Sequence, residues 1–301
     1  MKILHIDTGR ELRGGQFQVL LLIAGLRERG YECRLLAREG SPLYGRAREQ
    51  GYDVSAATLA AVWRDSKLFD LVHAHDANSH TLCALASRRL FVVSRRVAFP
   101  VKRSPASHWK YARARRYLAV SRFVARELVL AGIRPETIDV VYDGVEEVAH
   151  TAQWEASFPA VALATSDPEK GRKIVERAAQ LAGIPVVFSS DLARDFLEAS
   201  MFVYITRSEG LGSAALSAMA MGVPVIASHL GGLTEVFEDC ISGLFVRNEP
   251  NEIARAMRKI RENPALAATL IREGKRRVQG MFSKQHMINN TINSYKRALA
   301  G

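Results

Sequence analysis

Short apolar runs alternate with segments of helical period along almost the whole chain, and this alternation limits the possible folds more than any other feature. In the first half, strands are predicted at KILHI, ECRLLA, LVHAH, RRVAF, YLAVS and IDVVY, with helices at Phe17 to Arg29, Ser79 to Arg89 and Arg122 to Ala131. The pattern is typical of βαβ units, in which helices connect the strands of a mainly parallel sheet.

The alternation restarts after a polar connection from about Asp143 to Pro159. Strands follow at AVALA, PVVFS, MFVYI, PVIAS and GLFV, with helices at Glu169 to Ala182, Leu192 to Glu198 and Gly212 to Met221. Three closing helices, Glu252 to Arg261, Ala265 to Gln279 and Ser283 to Leu299, have no strand among them.

A chain of 301 residues favours two domains of about 150 residues each. We therefore predict an α/β protein with two Rossmann-like domains, the first at residues 1–147 and the second at 159–283. Because ligands of open parallel sheets bind at the carboxyl ends of the strands, the loops of the two domains are expected to face each other across a cleft.

The composition, 48% hydrophobic and 24% charged, is that of an ordinary globular protein, which excludes collagen-like, disordered and coiled-coil chains. The sequence has no run of about 18 uncharged apolar residues, and its start, MKILHIDTGRELRGG, does not fit a secretory signal. We therefore expect a cytoplasmic location. Cys33, Cys83 and Cys240 lie far apart without metal-ligand spacing, so they are expected to be buried free thiols.

Positive charge is concentrated in residues 77–126, which we call the basic stretch. It contains twelve Lys or Arg and no Asp or Glu, whereas the rest of the chain has 30 basic and 31 acidic residues. Three explanations are open: a solvated face, contact with anionic lipid headgroups, and nucleic-acid binding through residues 88–126. No helix-turn-helix, zinc-finger or RNA-binding signature accompanies the last. The residues of the predicted acceptor or membrane face are Lys102, Arg103, Lys110, Arg113, Arg115 and Arg116.

The segment SEGLGSAALSAMAMGVPVIAS, from Ser208 to Ser228, contains the clearest chemical signal. It indicates a polar turn, a helix, a short turn and a strand. Unpaired amides at a helix start donate hydrogen bonds to phosphate oxygens, and Gly210 and Gly212 have no side chain to keep a ligand from the backbone. Glu209 has two interpretations on its own: a helix cap, or an acceptor for sugar hydroxyls.

These residues resemble the retaining family 4 glycosyltransferases of the GT-B fold, whose motif runs E-G-hydrophobic-G through a second Glu to A-M-A-x-G-x-P-V. The resemblance extends to RGGQFQVLLLIAGLRERGYEC, DLVHAHDANSH, YLAVSRFVARELVLAGI, PEKGRKIVERAAQL and HLGGLTEVFEDCISGLFV. It also implies that the terminal helix, residues 284–301, crosses back to complete the first domain.

The resemblance implies roles for individual residues. Glu209, His75 and Lys170 are the predicted catalytic residues: His75 contacts the donor sugar, and Lys170 neutralises the departing diphosphate. The predicted donor-binding residues are Gly14, Gly15, Gly210, Leu211, Gly212 and Ser213. His73 is expected to face the opposite side of its strand in a structural role, and Asp76 is interpreted as a helix cap or a site residue.

Three departures from the family pattern favour an alternative. The second motif Glu, which holds the ribose, is Ser217 in this chain; the Arg five residues before the motif Lys is Thr165; and the second domain is short after Phe188. Serine accepts hydrogen bonds less strongly than a carboxylate. A catalytically impaired pseudoenzyme, or a subunit that needs a partner, is therefore the alternative to an active enzyme.

The predicted function is the transfer of a sugar, with retention, from a nucleotide-diphosphate sugar to a glycan or glycolipid acceptor of the cell envelope. No DxD motif is available to bridge Mg²⁺ to a diphosphate, so neither a metal nor another cofactor is expected. A glycolipid acceptor implies peripheral attachment to the inner face of the plasma membrane. An oxidoreductase is excluded because the first loop, DTGRELRGGQ, lacks GxGxxG.

Overall fold

A computed structural model describes residues 1–102, 104–146, 148, 150–165 and 167–300. They form two compact units. Unit 1 comprises Met1–Gly144 and Lys284–Gly301, and unit 2 comprises Val145–Ser283. The polar connection seen in the sequence therefore lies at the start of unit 2.

Unit 1 contains a parallel sheet of seven strands in the order β3-β2-β1-β4-β5-β6-β7. The strands are β1 Lys2–Asp7, β2 Glu32–Ala37, β3 Asp53–Ala56, β4 Leu71–Ala74, β5 Phe91–Arg95, β6 Arg116–Ala119 and β7 Ile138–Val140. The helices are α1 Gly14–Glu28, α2 Pro42–Glu49, α3 Leu59–Ser66, α4 Ala77–Ala86, α5 Pro105–Ala112 and α6 Arg122–Leu130, with α13 Lys284–Ala300 added from the end of the chain. The prediction of an α/β unit with a parallel sheet is confirmed.

Short polar side chains begin most of these helices. Ser41, Thr58, Ser104 and Ser121 each accept a hydrogen bond from a backbone amide in the first turn, which satisfies one of the amides that a helix start leaves unpaired. The helices α2 and α5 also have a proline in their first turn, where the missing amide proton costs nothing.

One strand of unit 1 was misplaced in the sequence analysis. The prediction at RRVAF is wrong, because β5 is Phe91–Arg95 and residues 96–99 form no strand. The preceding FVV triplet is buried, whereas Val97 and Phe99 are exposed apolar residues. β3, α2, α3 and α5 were not predicted; their first residues are Asp53, Pro42, Leu59 and Pro105.

The helix α13 completes the core of unit 1. It contributes Met287, Ile288, Ile292, Tyr295 and Ala298 to a buried cluster with residues of α1 and four central strands. At Gly25 of α1 a methyl group would lie 1.9 Å from Cδ1 of Ile288, so the two helices pack closely. The Gln18 side chain bonds both the amide and the carbonyl of Gly144, which fixes the end of the first 144 residues.

Unit 2 contains a parallel sheet of five strands in the order β12-β11-β10-β8-β9. The strands are β8 Ala160–Leu163, β9 Val186–Ser189, β10 Met201–Tyr204, β11 Val225–Ser228 and β12 Leu244–Val246. The helices are α7 Arg172–Ala182, α8 Leu192–Asp195, α9 Ser213–Met221, α10 Leu233–Val236, α11 Pro250–Arg261 and α12 Pro264–Met281. α10 was not predicted.

The predicted helix from Glu169 to Ala182 is divided in the structure. A 3₁₀ turn at Pro168–Lys170 ends at Gly171, whose φ of 63° is left-handed, and α7 begins at the next residue. A methyl group on Gly171 would lie 2.7 Å from Cγ2 of Ile205. Close packing against the end of β10 therefore interrupts the helix at its start.

In unit 2, α7, α11 and α12 cover the sheet and form a buried cluster with it. Val175, Ile253, Met257 and Leu270 pack there against buried strand residues such as Val203. Among the described residues, no helix has the length and apolar character needed to cross a membrane.

Candidate functional site

The strand order of unit 2 reverses beside β8. β9 lies on one side of β8 and β10 on the other, and at such a switch point the connections leave in opposite directions, opening a crevice at the carboxyl ends of the strands. Lys170 follows β8, and Glu209 follows β10. The topology therefore brings two of the predicted site residues to one edge of the sheet.

Lys170 and Glu209 form an ion pair at this edge. The Lys170 Nζ lies 2.7 Å from Oε2 of Glu209, and the two side chains are 22% and 16% exposed. The hydroxyl of Tyr204, the last residue of β10, donates to the same Oε2. Burial, and then the Glu209 carboxylate, raises the pKa of Tyr204 well above its usual value, so this hydroxyl keeps its proton.

The Glu209 loop lies against a second loop, which contains two glycines. The Gly232 amide donates to the carbonyl of Glu209 at 3.0 Å. A methyl group on Gly232 would lie 1.8 Å from the carbonyl oxygen of Gly210, and one on Gly231 would lie 2.5 Å from that of Glu209. Only glycine permits this approach of two backbones, and the sequence analysis did not single out either residue.

A buried polar network supports the Glu209 loop from below. The Ser228 hydroxyl accepts from the Thr206 amide at 2.9 Å, and the Asn248 amide group donates to the Thr206 carbonyl at 2.8 Å. Asn248 Oδ1 and the Ser228 hydroxyl are 2.6 Å apart. The loop is thus fixed to the ends of β10, β11 and β12.

The predicted donor residues of unit 2 lie at the start of α9. Gly212 has a φ of 106° and immediately precedes the helix, and Ser213 is its first residue. Gly210 and Leu211 are buried. Ser217, predicted at the ribose, is half-buried, and its hydroxyl donates to the Ser213 carbonyl at 3.1 Å.

Thr165, which stands where the family pattern has an arginine, precedes the 3₁₀ turn, and Arg172 follows it. The Thr165 hydroxyl accepts from the Asp167 amide at 3.1 Å. Arg172 pairs with Glu176 at 2.9 Å, and its guanidinium carbon lies 4.3 Å from the centroid of the Phe188 ring.

Unit 1 has its own switch point, between β1 and β4. His5 of β1 is opposite His73 of β4 in the parallel register, and His75 comes one residue after β4. Nδ1 of His5 and Nε2 of His75 are 3.0 Å apart. Burial lowers the pKa of all three imidazoles, that of His5 to about 3, so the three rings are neutral at physiological pH.

The expectation that His73 faces the opposite side of the strand from His75 is wrong. Residues two apart in a strand point to the same face, and the two ring centroids are 3.9 Å apart. The ring nitrogens of His73 lie 2.6 Å from the Tyr295 hydroxyl and 2.8 Å from the Ser94 hydroxyl. His73 therefore connects β4 to β5 and α13.

These three histidines are the one group among the described residues whose ligand atoms lie close enough together, within 4.8 Å, to be considered for a metal ion. The planes of the His5 and His75 rings are 21° apart and their centroids are separated by 5.3 Å, so the 3.0 Å contact between their nitrogens joins rings that lie side by side. Both nitrogens of His73 have hydroxyl partners. The three residues thus form a hydrogen-bonded cluster of neutral imidazoles.

Gly14 and Gly15, two of the predicted donor-binding residues, form the first turn of α1. The helix starts earlier than predicted because Arg13 acts as N-cap and its carbonyl accepts from the Gln16 and Phe17 amides. The amides of both glycines belong to the group that a helix start leaves without helical partners.

Asp7 lies next to this helix start. Its carboxylate accepts from the Gly9 amide at 2.8 Å and from the Gln16 side chain at 3.2 Å. Burial, and then the charge of Asp76, raises the pKa of Asp7 to about 6. Asp76 itself caps α4 and also accepts from the Thr8 amide, which confirms the interpretation of Asp76 as a helix cap.

Family comparisons match both units. Residues 12–148 match the model described as Glycosyltransferase Family 4, and residues 183–277 match the model described as Glycosyl transferases group 1. The chain belongs to the family 4 glycosyltransferases. The resemblance stated from the motifs is therefore confirmed.

Solved structures support the same fold. The chain is similar to Anabaena HepE, crystallised with UDP and glucose, with a TM-score of 0.86 and 17% identity over 99% of this chain and 100% of that one. It is also similar to a glycosyltransferase from Rickettsia africae, with a TM-score of 0.82 and 16% identity over 100% and 99% of the two chains. The fold class is GT-B, as predicted.

Among curated proteins, the chain is 35% identical to the D-inositol 3-phosphate glycosyltransferase of a Nocardioides species over 122 residues, which are 39% of this chain and 26% of the relative. A second such protein, from Geodermatophilus obscurus, is 31% identical over 116 residues, 38% of this chain and 25% of the relative. The match thus spans about a quarter of the length of these relatives.

The basic stretch is not a uniform face. Arg116, predicted on the acceptor or membrane face, is instead paired with Asp139 at 2.7 Å and only 14% exposed. Arg96 is paired in the same way with Asp143 at 3.0 Å. Both acids come from later in the chain, so counting charges by position could not reveal these pairs.

The other predicted residues of this face differ in exposure. Lys102 and Arg113 are exposed, Lys110 and Arg115 are half-buried, and Arg103 lies outside the described residues. Arg113 lies over the ring of the exposed Trp109, 5.5 Å from its centroid. Beside α5 a groove of about 450 Å³ is lined in part by Lys102, His108 and Arg134.

The close approach at Gly232 generates a prediction about stability. Gly232→Ala should destabilise unit 2 by about 1–3 kcal/mol, because the clash is with backbone that cannot move aside. Urea unfolding would measure the loss. The control is Gly280→Ala in α12, where a methyl group meets nothing within 4 Å and alanine should be neutral or slightly stabilising. Equal stability of both variants and the wild type would contradict the role given to Gly232.

The raised pKa of Asp7 generates a prediction about pH. Its folded-state pKa of about 6 exceeds the ordinary aspartate pKa of 3.8, so its contribution to stability is fully present below pH 3.8 and is lost as pH rises through 6. Asp7→Asn should remove this dependence. The difference in unfolding free energy between wild type and variant should change by roughly 2.4 kcal/mol between pH 4 and pH 7, measured by urea unfolding; a constant difference would contradict the assignment.

Proposed function

We propose that the chain transfers a sugar from a nucleotide-diphosphate sugar to a glycan or glycolipid acceptor of the cell envelope. The observation that carries the proposal is the pairing of Lys170 with Glu209 at 2.7 Å, beside the start of α9 and at the switch point of the sheet. A cation and helix amides suit the diphosphate, while a carboxylate suits sugar hydroxyls. The UDP and UDP-glucose bound by Anabaena HepE support a donor of this class.

In the proposed reaction, the bond between the anomeric carbon and the diphosphate oxygen breaks. The acceptor oxygen forms its bond to that carbon on the face from which the diphosphate leaves, so configuration is retained, and the acceptor proton passes to a diphosphate oxygen. Negative charge develops on the leaving group. Lys170 and the amides at the start of α9 stabilise this charge more in the transition state than in the ground state, so the proposal needs no metal.

Glu209 has a different task in this proposal. A carboxylate repels phosphate, so it is assigned to the hydroxyls of the donor sugar, where it accepts hydrogen bonds. His75, Gly14 and Gly15 are assigned to donor binding, as the family resemblance implies. The neutral state of His75 suits hydrogen bonding to a sugar.

A pseudoenzyme or a partner-dependent subunit is the second candidate. It is favoured by Ser217, whose hydroxyl is used within α9, and by Thr165, which is used within its own loop. Neither residue supplies the charge that the family pattern has at its position.

Substitutions of the ion pair test the proposed chemistry. Glu209→Ala and Lys170→Ala should each lower kcat/KM at least about 100-fold, since each removes a group that acts on the reacting sugar phosphate. Sugar transfer and donor hydrolysis would be measured with UDP-glucose. Matched controls are Glu262→Gln and Lys173→Ala, both exposed in unit 2, which should remain within twofold of wild type. Undiminished transfer in the first pair would refute the mechanism.

A thermal-shift screen of nucleoside diphosphates and their sugars separates the two candidates. A true donor raises the melting temperature by mass action, by an amount equivalent to about 2.7 kcal/mol at 100 times its Kd. No shift with any donor would support the pseudoenzyme.

We also propose a cytoplasmic protein that attaches peripherally to the inner face of the plasma membrane. Phe99 and Trp109 of the basic stretch are 63% and 46% exposed, and each lies within four residues of an exposed cation, Lys102 or Arg113. Amphipathic aromatic rings with cations suit a lipid headgroup region. Nucleic acid is the competing partner.

Sedimentation with vesicles distinguishes these partners. The chain should sediment with phosphatidylserine-containing vesicles at low salt and be released as salt is raised, because the attraction is screened. Arg113→Ala with Trp109→Ala should weaken sedimentation, whereas Lys259→Ala in unit 2 should not. Binding to DNA or RNA without binding to vesicles would refute the lipid proposal.

A further inference from the structure

Tyr204 is the only residue of β10 with a hydroxyl group, in the strand MFVY. It is 5% exposed, and its ring stacks on Phe202 with the centroids 5.4 Å apart. A buried hydroxyl costs free energy unless it is hydrogen-bonded. Phenylalanine would fill the same space without that cost, so the hydroxyl has to be explained by what it contacts.

Its contacts are the two groups assigned to the donor. The hydroxyl donates to Oε2 of Glu209 and lies 3.4 Å from Nζ of Lys170. The same Nζ lies 5.4 Å from the centroid of the Tyr204 ring. Hydroxyl and ammonium therefore share one carboxylate oxygen.

The two oxygens of the Glu209 carboxylate have different partners. Oε2 receives both the tyrosine hydroxyl and the lysine, whereas the hydrogen bond to Oε1 comes from the Gly210 amide at 3.2 Å. A carboxylate oxygen accepts more than one hydrogen bond, so Oε1 keeps capacity for a ligand hydroxyl. Because Tyr204 and Lys170 hold Oε2, they also fix the direction in which Oε1 points.

We propose that Tyr204 is a positioning residue, which holds Glu209 so that Oε1 accepts a hydrogen bond from a hydroxyl of the donor sugar. This rests on the proposed function, in which Lys170 also serves the diphosphate. When the ammonium is drawn toward the phosphate oxygens, its hold on Oε2 weakens. The tyrosine hydroxyl then keeps the carboxylate in place as a neutral partner that does not compete for phosphate.

Tyr204→Phe tests this role. With UDP-glucose as donor, kcat should fall tenfold to about a hundredfold, the range expected for losing a hydrogen bond to a charged group. The Kd of UDP, measured by calorimetry, should stay within twofold, because the sugar contact is absent from UDP. A general structural defect would instead reduce the number of UDP sites. The control is Tyr117→Phe in unit 1, whose hydroxyl donates to the Tyr111 carbonyl; its kcat should be unchanged.

Ligand-free crystal structures of two variants make the test independent of activity and of the donor. In Lys170→Ala, where the ion pair is absent, Tyr204 should still hold the Glu209 carboxylate in place, whereas in Lys170→Ala with Tyr204→Phe the carboxylate should leave its position beside residue 204. If kcat of Tyr204→Phe stays within twofold of wild type, or if the carboxylate keeps its position in the double variant, the positioning role is overturned. If the wild type binds neither UDP nor UDP-glucose, the proposed donor fails, and the position of Glu209 in these two variants alone decides the role of Tyr204.

Discussion

The parallel pairing of β10 with β8 is the constraint on which the candidate site depends. Backbone hydrogen bonds fix this pair, and the strand order reverses beside it, so the loops that follow the two strands lie side by side. For this reason Lys170 and Glu209, 39 residues apart in sequence, meet at 2.7 Å. The second requirement is steric: the glycines at 231 and 232 let the neighbouring backbone approach, and any side chain there would displace the loop that carries Glu209.

Much of the fold could be predicted because the relevant signals are local. A buried parallel strand is an almost continuous apolar run, and segments such as KILHI and ECRLLA show it directly. Strand prediction failed where the apolar pattern of a segment does not match the burial of its side chains. RRVAF has apolar letters but exposed side chains, whereas DVSA forms the edge strand β3 although it is only half apolar. The Gly171 interruption was hidden because it depends on Ile205, a residue far along the chain.

The residues of the site could be predicted from the sequence, but the contacts between them could not. Motif resemblance selected Glu209 and Lys170 separately, and only the folded chain shows that they pair with each other and with Tyr204. His5 was overlooked because its relation to His73 is a matter of strand register. Arg116 was assigned to a surface for the same reason, since Asp139 approaches it from the neighbouring strand. Two signals for these contacts are present in the sequence: a tyrosine at the end of a predicted strand, and the pair Gly231–Gly232.

The helix α13 belongs to unit 1 although all of unit 2 precedes it in the chain. During synthesis, the apolar surface that Ile288 and Tyr295 cover stays open to solvent while 139 residues of the second unit are still being made. Since domains generally fold as units, from the N-terminus onward as the chain emerges, unit 2 has all its segments before unit 1 does. The His73 imidazole likewise gains its tyrosine partner only when the last helix arrives. The unit that begins first in the chain is therefore the one whose segments are completed last.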